Sequence, residues 1–424
     1  MTRLSVGIDL GTSSVRAGVI TEAGDLITMA RADYGSDAQS WRDPVCWWTA
    51  ASTCLHTVIA DLSQAGFDPA DVHGIAIDGT SGSMVLTDES LAPVTRALMY
   101  NDGGLDVQAA QIAACAPNPH ITRGSNSALA RVLCLIAEDK DAKATHLLHQ
   151  ADFIAARLIG HGGHSDVNNA LKTGVDPATG QWPDWMDQLA LPLGLLPKAH
   201  VPGHPIAPIS SENAKEFGLS HSVMVHAGTT DSIAAFLASA PAVTGSAVTS
   251  LGTTLAVKVM SPVRVDVPQM GLYSHRLGDG WLVGGASNTG GGVLKELFGD
   301  INLTALSEQI DPNIASPLDY YPLVRPGERF PVNDPTLQPR LTPRPIDDAA
   351  FLHGILESIA RIERKAYSLI ADHGGTFPAK IISAGGGASN PVWTKIRSRV
   401  LGIPVVEATT PEAAIGAAKL CQTQ

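Results

Sequence analysis

One short pattern occurs twice, half a chain length apart. Ile8-Asp-Leu-Gly-Thr-Ser13 and Thr249-Ser-Leu-Gly-Thr-Thr254 each place a turn of glycine and hydroxyl residues after an apolar strand, and they are 241 residues apart. This period is too long for a solenoid of short repeats. Because strands alternate with helices in both halves, we predict an α/β chain of two similarly built domains with a cleft between them.

The second copy of the pattern also predicts where the chain divides. A length of 424 residues is enough for two domains of ordinary size. We place the boundary just before the second copy, which gives domains of residues 1–240 and 241–424. A last helix, at about 411–421, is expected to pack back on the first domain.

Composition excludes several classes of protein. Asp and Glu outnumber Lys and Arg by 41 to 29, so the net charge is −12 and nucleic acid is not an expected partner. There is no apolar run long enough to predict a membrane span, and no signal-peptide core at the N-terminus. The five cysteines are widely spaced and include no CxxC pair, which favours reduced thiols in a cytoplasmic protein over a disulfide framework or a zinc site.

The two repeated turns are candidates for phosphate binding. Glycine lets backbone N–H groups point inward and the hydroxyl groups add donors, so such a turn can surround phosphate oxygens. Asp9, before the first turn, could hold a hydrated Mg²⁺ beside them. One turn alone could equally be an ordinary hairpin tip. Two such turns facing each other across a cleft would grip a triphosphate from both sides.

Two further positions have both a chemical and a purely structural interpretation. Asp231 follows a strand and stands at a predicted helix N-terminus, where it could act as a general base toward a hydroxyl group or simply cap the helix. Gly385-Gly-Gly-Ala-Ser-Asn390 lies between a strand and a helix. Its glycines would allow a flat ring to approach the backbone, while Asn390 could bond that ring or cap the helix.

Several familiar motifs are absent or incomplete. The 385–390 segment is neither GxGxxG nor a P-loop. Gly79-Thr-Ser-Gly-Ser83 misses the nucleophile elbow G-x-S-x-G by its last residue, so a serine hydrolase is not favoured. The pairs His161 with His164 and His200 with His204 do not match HExxH, and we predict no metal site from them.

Taken together, the motifs resemble those of the FGGY family of carbohydrate kinases, within the actin-like ATPase superfamily. The segments that carry the resemblance are Gly7–Ser13, Ile77–Gly82, Ala227–Phe236, Thr249–Thr254, Gly284–Asn288 and Ala384–Asn390. Asp166–Gly174 and Leu318–Pro322 look most similar to the compact D-ribulose kinase subgroup of cyanobacteria and plants. The resemblance implies two actin-like (ribonuclease H-like) domains.

The resemblance also implies the reaction, the cofactors and the role of each site residue. ATP and Mg²⁺ would serve phosphorylation of the terminal hydroxyl group of a ketopentose, most closely D-ribulose. Asp231 would be the catalytic base, and Asp9 would position the substrate and, through water, the metal. The sugar would be bound by Asp9, Ser81, Asp102 and Asp231. ATP would be bound by Gly11, Thr12, Ser13, Gly252, Thr253, Thr254, Gly385, Gly386 and Asn390.

Departures from the family pattern leave alternatives open. Xylulokinases carry Gln-Met-His where this chain has Thr80-Ser-Gly-Ser83, which argues against D-xylulose, and the Arg-Glu pair of glycerol kinases is missing. Another ketose or polyol therefore remains an alternative substrate. A non-catalytic actin-like ATPase would need the two turns but not Asp231, and a sugar-binding pseudokinase would be expected to lack Asp9 or Asp231. The chain is expected to be a monomer or a homodimer.

Overall fold

The computed structural model describes residues 3–37, 39–299, 301–409 and 412–422. The chain divides into two compact units. The first contains residues 1–238 together with 412–424, and the second contains residues 239–411. The first unit is therefore built from both ends of this sequence.

The first unit is organised around a six-stranded sheet. The strands of this unit are β1 (Leu4–Leu10), β2 (Ser14–Thr21), β3 (Leu26–Asp33), β4 (Val72–Gly79), β5 (Met84–Thr87), β6 (His146–His149), β7 (His164–Asp166), β8 (Lys198–His200), β9 (Pro205–Pro208) and β10 (Met224–Thr230). The sheet order is β3-β2-β1-β4-β10-β9. β1 pairs antiparallel with β2, but β4 is parallel to both β1 and β10. Every residue of β1 is buried, as expected of a strand covered on both faces.

Seven of the described α-helices of this unit lie in its first stretch, before the second unit begins. They are α1 (Pro44–Gln64), α2 (Asp106–Cys115), α3 (Ala128–Glu138), α4 (Gln150–Ile159), α5 (Val167–Leu171), α6 (Ser211–Phe217) and α7 (Asp231–Ser239). α1 begins with Asp43 as its cap, whose side chain accepts from the Val45 N–H group, and with proline at its first position. Its buried face includes Trp47, Leu55 and Leu62, and it packs against the core of the sheet.

The second unit has a sheet of the same design. Its strands are β11 (Ser246–Leu251), β12 (Leu255–Ser261), β13 (Tyr273–Leu277), β14 (Gly280–Ser287), β15 (Lys380–Ala384) and β16 (Val405–Glu407), and its helices are α8 (Gly291–Phe298), α9 (Leu303–Ser307), α10 (Asp348–Asp372) and α11 (Pro391–Leu401). The order is β13-β14-β12-β11-β15-β16. β11 and β12 form an antiparallel hairpin, and β15 is parallel to β11. Both sheets therefore join an antiparallel meander to parallel strands.

The last described helix, α12 (Ala413–Leu420), belongs to the first unit. It packs directly on β1 and α7, because glycine replaces a side chain at both contacts. A Cβ atom on Gly7 would lie 1.8 Å from the carbonyl oxygen of Ala414, and one on Gly416 would lie 1.8 Å from that of Ala234. No larger residue fits at either contact without a backbone movement.

The predicted α/β class is confirmed. The helical spacing of Trp48, Leu55 and Leu62 predicts a helix at about 44–65, and α1 confirms it. The alanine-rich composition of residues 106–158 predicts a largely helical segment, but β6 interrupts it because His146–His149 pairs antiparallel with β5. A four-residue apolar segment gives no periodicity that could separate a strand from part of a helix.

Candidate active site

Three strands of the first unit end side by side and carry the first group of candidate residues. Asp9 on β1 is the register partner of Asp78 on β4, and Asp78 is in turn the partner of Thr229 on β10. The three strands are parallel, so their carboxyl ends lie on one edge of the sheet. This is where open α/β sheets bind ligands. The edge therefore collects two buried carboxyl groups and the strand that leads to Asp231.

Asp231 opens α7 immediately after β10. β10 contains one extra residue between His226 and Thr229 relative to β4, which is a β-bulge. The extra residue brings the backbone of β10 very close to β4, since a Cβ atom on Gly228 would lie 1.8 Å from the carbonyl oxygen of Ile77. The Ser232 N–H group donates to the Asp231 carboxylate at 2.6 Å. The bulge and this bond fix the position at which Asp231 leaves the sheet.

Burial raises the pKa of both carboxyl groups that β1 and β4 place at this edge. For Asp9 the charge of Asp231 adds to the effect of burial, while the neighbouring Asp78 side chain and the charge of Arg16 oppose it. Burial also raises the pKa of Asp78 well above its ordinary value, with further contributions from Asp9 and Asp231. Both carboxyl groups are therefore less acidic than an ordinary aspartate, and burial is the main cause for each.

The first predicted phosphate turn is exposed at its tip. The Gly11 N–H group donates to the Ser14 carbonyl oxygen at 3.1 Å and closes the turn, and the Tyr34 hydroxyl group donates to the Gly11 carbonyl oxygen at 2.8 Å. Thr12 and Ser13 are exposed. The turn is thus fixed from behind by Tyr34, and its hydroxyl residues face solvent.

The predicted sugar contacts lie on two further turns of the first unit. Ser81 follows β4, and its hydroxyl group is buried with no hydrogen-bond partner among the described residues. Asp102 behaves differently, because its carboxylate contacts Arg42 at 2.5 Å and accepts from the Met99 N–H group at 2.7 Å. Burial alone would raise the pKa of Asp102, but these two bonds outweigh burial and lower it. The Asp102 carboxylate is thus already hydrogen-bonded within the protein, whereas the Ser81 hydroxyl group is available to bond a ligand.

Unsatisfied polar atoms are concentrated around this edge of the sheet. Buried side chains with an atom that lacks a partner among the described residues include Asp78, Ser81, Gln150 and Asn169. Gln150 accepts from the Thr80 N–H and hydroxyl groups, so it lies directly behind the turn that carries Ser81. Asn169 donates to the Thr229 carbonyl oxygen at 3.0 Å, two residues before Asp231. Buried polar atoms are nearly always paired, so a cluster of exceptions is typical of a ligand site.

The second unit carries the other predicted phosphate turn, at the tip of β11. Gly252, Thr253 and Thr254 are packed against the start of α8, where the Gly291 N–H group donates to Gly252 and the Gly292 N–H group donates to Thr253. A Cβ atom on Gly291 would lie 2.7 Å from the Gly252 carbonyl oxygen. The three glycines 290–292 are therefore needed for the turn to lie against the helix N-terminus.

The predicted adenine-side segment lies next to the same turn. A Cβ atom on Gly385 would lie 2.9 Å from the Leu251 carbonyl oxygen, whereas one on Gly386 would meet nothing within 4 Å. Asn390 caps α11, because its side chain accepts from the Val392 and Trp393 N–H groups. Its amide nitrogen donates to the Ser307 hydroxyl group at 2.9 Å. The structure thus shows that Asn390 caps α11. Gly386 is the glycine of this segment with free space at its Cβ position.

Comparison with known proteins identifies the family to which this sequence belongs. A model of the N-terminal domain of the FGGY family of carbohydrate kinases matches residues 4–128, and a model of its C-terminal domain matches residues 247–423. The chain belongs to the FGGY family of carbohydrate kinases. It is a sugar kinase, and family membership implies ATP and a metal ion in the reaction.

Individual relatives are distant in sequence, and several of the xylulose kinases among them cover nearly the whole chain. The xylulose kinase of Lactococcus lactis is 24% identical over 96% of this chain and 85% of its own length. The solved structure of the xylulose kinase from Rhodospirillum rubrum has a TM-score of 0.84 at 23% identity, covering 99% of this chain and 89% of that one. A D-ribulokinase of Saccharomyces cerevisiae is 33% identical, but over only 19% of this chain. The likeness to the D-ribulose kinase subgroup is therefore not confirmed.

The metal-binding residues can be tested against the geometry. The described residues contain no group of three or more His, Cys, Asp or Glu side chains arranged to hold a metal ion. Mg²⁺ in nucleotide sites is usually held by one or two carboxylates together with phosphates and water. A single carboxylate such as that of Asp9 is therefore enough to hold the ion. In addition, none of the described helices is both long and apolar enough to cross a bilayer.

Two features of the site were missed from the sequence. Asp78 lies within the segment Ile77–Gly82 that carries the family resemblance, but no role is predicted for it. Like Asp9, it stands near the end of an apolar strand, and that position was an available signal. The glycines 290–292 were not noticed as the support of the second phosphate turn. Both become clear only once strand pairing and the start of α8 are known.

Proposed function

We propose that this sugar kinase transfers the γ-phosphoryl group of ATP to the terminal hydroxyl group of a ketopentose. The observation that carries the proposal is the edge of the first sheet, where Asp9 and Asp231 lie close enough to shift the pKa of Asp9 beside a cluster of unsatisfied polar atoms. A polyol offers many hydroxyl groups to such a cluster, and a carboxylate beside it can accept the proton of the attacking one.

Each candidate segment has a role in this proposal. The exposed turn Gly11–Ser13 and the turn Gly252–Thr254 supply N–H and hydroxyl donors to the phosphates of ATP. Gly386 leaves room for the adenine ring. Asp231 orients the attacking hydroxyl group and takes its proton. Asp9 fits a magnesium ion held through water, and the ion would supply neutralisation of phosphate charge. Phosphoryl transfer depends mainly on such positioning and charge stabilisation.

Two ketopentoses have support as the substrate. D-xylulose is favoured by the names of the relatives that cover nearly the whole chain. D-ribulose is favoured because Thr80-Ser-Gly-Ser83 departs from the Gln-Met-His of xylulokinases, and because Asp166–Gly174 and Leu318–Pro322 resemble the ribulose kinase subgroup. The sugars differ in one hydroxyl configuration, which is worth only a few kcal/mol of pocket contacts. A panel of D-ribulose, D-xylulose, ribitol and glycerol, with ADP release measured in a coupled assay, separates them.

The catalytic role of Asp231 is tested by Asp231→Asn. Asparagine caps a helix as well as aspartate does, so a residue that only caps would tolerate this change. A general base would not, and we expect kcat to fall by about 10²–10⁴-fold with the KM for ATP nearly unchanged. Asp43→Asn, at the cap of α1, is the matched control and should keep full activity. Wild-type turnover in Asp231→Asn would refute the mechanism, and sugar-independent ATP hydrolysis by the wild type would favour a non-catalytic actin-like ATPase.

A further inference from the structure

Arg131 is a buried charge whose hydrogen bonds all go to backbone. The residue lies on α3, is 2% exposed, and has its guanidinium group deep in the first unit. Its Nε donates to the Asp102 carbonyl oxygen at 3.0 Å and its Nη1 donates to that of Gly82 at 3.1 Å. Its Nη2 donates to the carbonyl oxygens of Tyr100 at 2.5 Å and Asn126 at 2.9 Å. One side chain therefore joins three separate segments.

Two of these segments are the turns that carry the predicted sugar contacts. Gly82 directly follows Ser81, and Tyr100 and Asp102 belong to the turn of the other candidate. Gly82 has a φ of 91° and no side chain, and a Cβ atom there would lie 3.0 Å from Nη1 of Arg131. The turn of Ser81 thus adopts a backbone conformation that glycine favours, and this conformation brings the Gly82 carbonyl group to the guanidinium group.

The energetics favour a positioning role over a simple packing role. A buried guanidinium group is costly unless its donors are satisfied, so this structure is stable only while the carbonyl groups stay in place. A hydrogen bond to a charged group is stronger than one between neutral groups. Movement of either turn would leave a buried donor unpaired, and the rigid fork of arginine transmits that restraint to both turns together.

We propose that Arg131 is a positioning residue that fixes the turns of Ser81 and Asp102 relative to each other and so determines the affinity for the sugar. It does not itself touch the sugar or ATP. This inference rests on the proposed function, because that function makes the two turns the sugar site. It predicts a defect confined to sugar binding, which a residue that only stabilises the fold would not produce.

The test compares Arg131→Met, Arg131→Lys and a control, Arg123→Met. Arg123 also donates to backbone carbonyl groups, those of Ala113 and Ala116, but it contacts neither turn. In Arg131→Met we expect the KM for the preferred sugar to rise by about tenfold or more, because displacement of a turn by the lost guanidinium group would cost about one hydrogen bond to the sugar. The kcat and the KM for ATP should stay within about threefold. Arg131→Lys keeps the charge and up to three donors, so it should restore part of the affinity.

Three results would overturn the inference. They are an unchanged sugar KM in Arg131→Met, an equal rise in the KM for sugar and for ATP, and the same rise in Arg123→Met. If Arg131→Met does not fold, Arg131→Lys decides through the same comparison of the two KM values.

Amide hydrogen exchange, which needs no substrate, separates this inference from the proposed function. Faster exchange in both segments 80–83 and 99–103 of the Arg131 variant, but not of the Arg123 variant, supports the positioning role, and unchanged exchange refutes it. A wild type that phosphorylates no ketopentose would refute only the proposed function.

Discussion

Gly228→Ala is a sharp test of how the first unit positions Asp231. A Cβ atom built on Gly228 lies 1.8 Å from the Ile77 carbonyl oxygen, whereas real Cβ atoms essentially never approach closer than 3.0 Å. β10 and β4 would therefore have to separate by about 1.2 Å at the point where Asp78 and Asp231 leave the sheet. Both strands are held by backbone pairing on either side, so no flexible side chain can absorb this movement.

Two measurable effects follow from that displacement. Overpacking of a well-packed core costs about 1–3 kcal/mol, and for a protein of this size each kcal/mol lowers Tm by about 2–4 °C. Misplacing a catalytic group by about 1 Å reduces turnover by about 10²-fold. We therefore expect a fall in Tm of roughly 2–12 °C by differential scanning calorimetry and a fall in kcat of about two orders of magnitude in the coupled kinase assay.

A matched substitution controls for the general effect of replacing glycine by alanine. Gly194 has no atom within 4 Å of its hypothetical Cβ position and no positive φ, so Gly194→Ala should leave both Tm and kcat unchanged. If Gly228→Ala kept the Tm and turnover of the wild type, the close contact between β10 and β4 would not exist as described. The link between the bulge and Asp231 would then be wrong as well.

Two further predictions concern other parts of the chain. Gly386→Ala should raise the KM for ATP but leave Tm unchanged, since nothing lies within 4 Å of its Cβ position. Gly387→Ala should lower Tm, because its Cβ atom would lie 2.5 Å from the Trp393 ring. Equal Tm values for the two variants would contradict this prediction. Burial, together with His204 and His164, lowers the pKa of His200 to about 4, so neutral His200 stabilises the fold above pH 6.5 and this contribution is lost as the pH falls toward 4. From pH 7 to 4.5, the free energy of unfolding of His200→Gln, measured by thermal melts, should fall less steeply with pH than that of the wild type, by up to about 1.4 kcal/mol per pH unit. Parallel curves for the variant and the wild type would show that the pKa of His200 is not lowered in the folded protein.

Features encoded by neighbouring residues were predictable from the sequence. The hairpin around Gly11, α1 and the capping alternative for Asn390 each depend on residues a few positions apart, and each is found in the structure. The repeated Gly-Thr turns also predicted two sheets of one design, which the matching strand orders display.

Features that depend on long-range pairing were not predictable. Asp78 becomes part of the site only because β4 pairs with β1 in a register that sets it opposite Asp9. Asp102 was selected as a sugar contact, but its carboxylate is paired with Arg42, a residue 60 positions earlier. Arg131 carries no local signal at all, because its four partners are backbone carbonyl groups that any sequence would supply.

The return of α12 to the first unit has a consequence for biosynthesis. Ile415 and Ala418 complete an apolar cluster with Ile20 and Ala238, so the sheet of the first unit lacks part of its covering until the ribosome has added α12. The second unit is one uninterrupted stretch and does not depend on a later segment. The first unit is thus begun before the second unit and completed after it, which differs from the usual N-terminal-first folding of nascent domains.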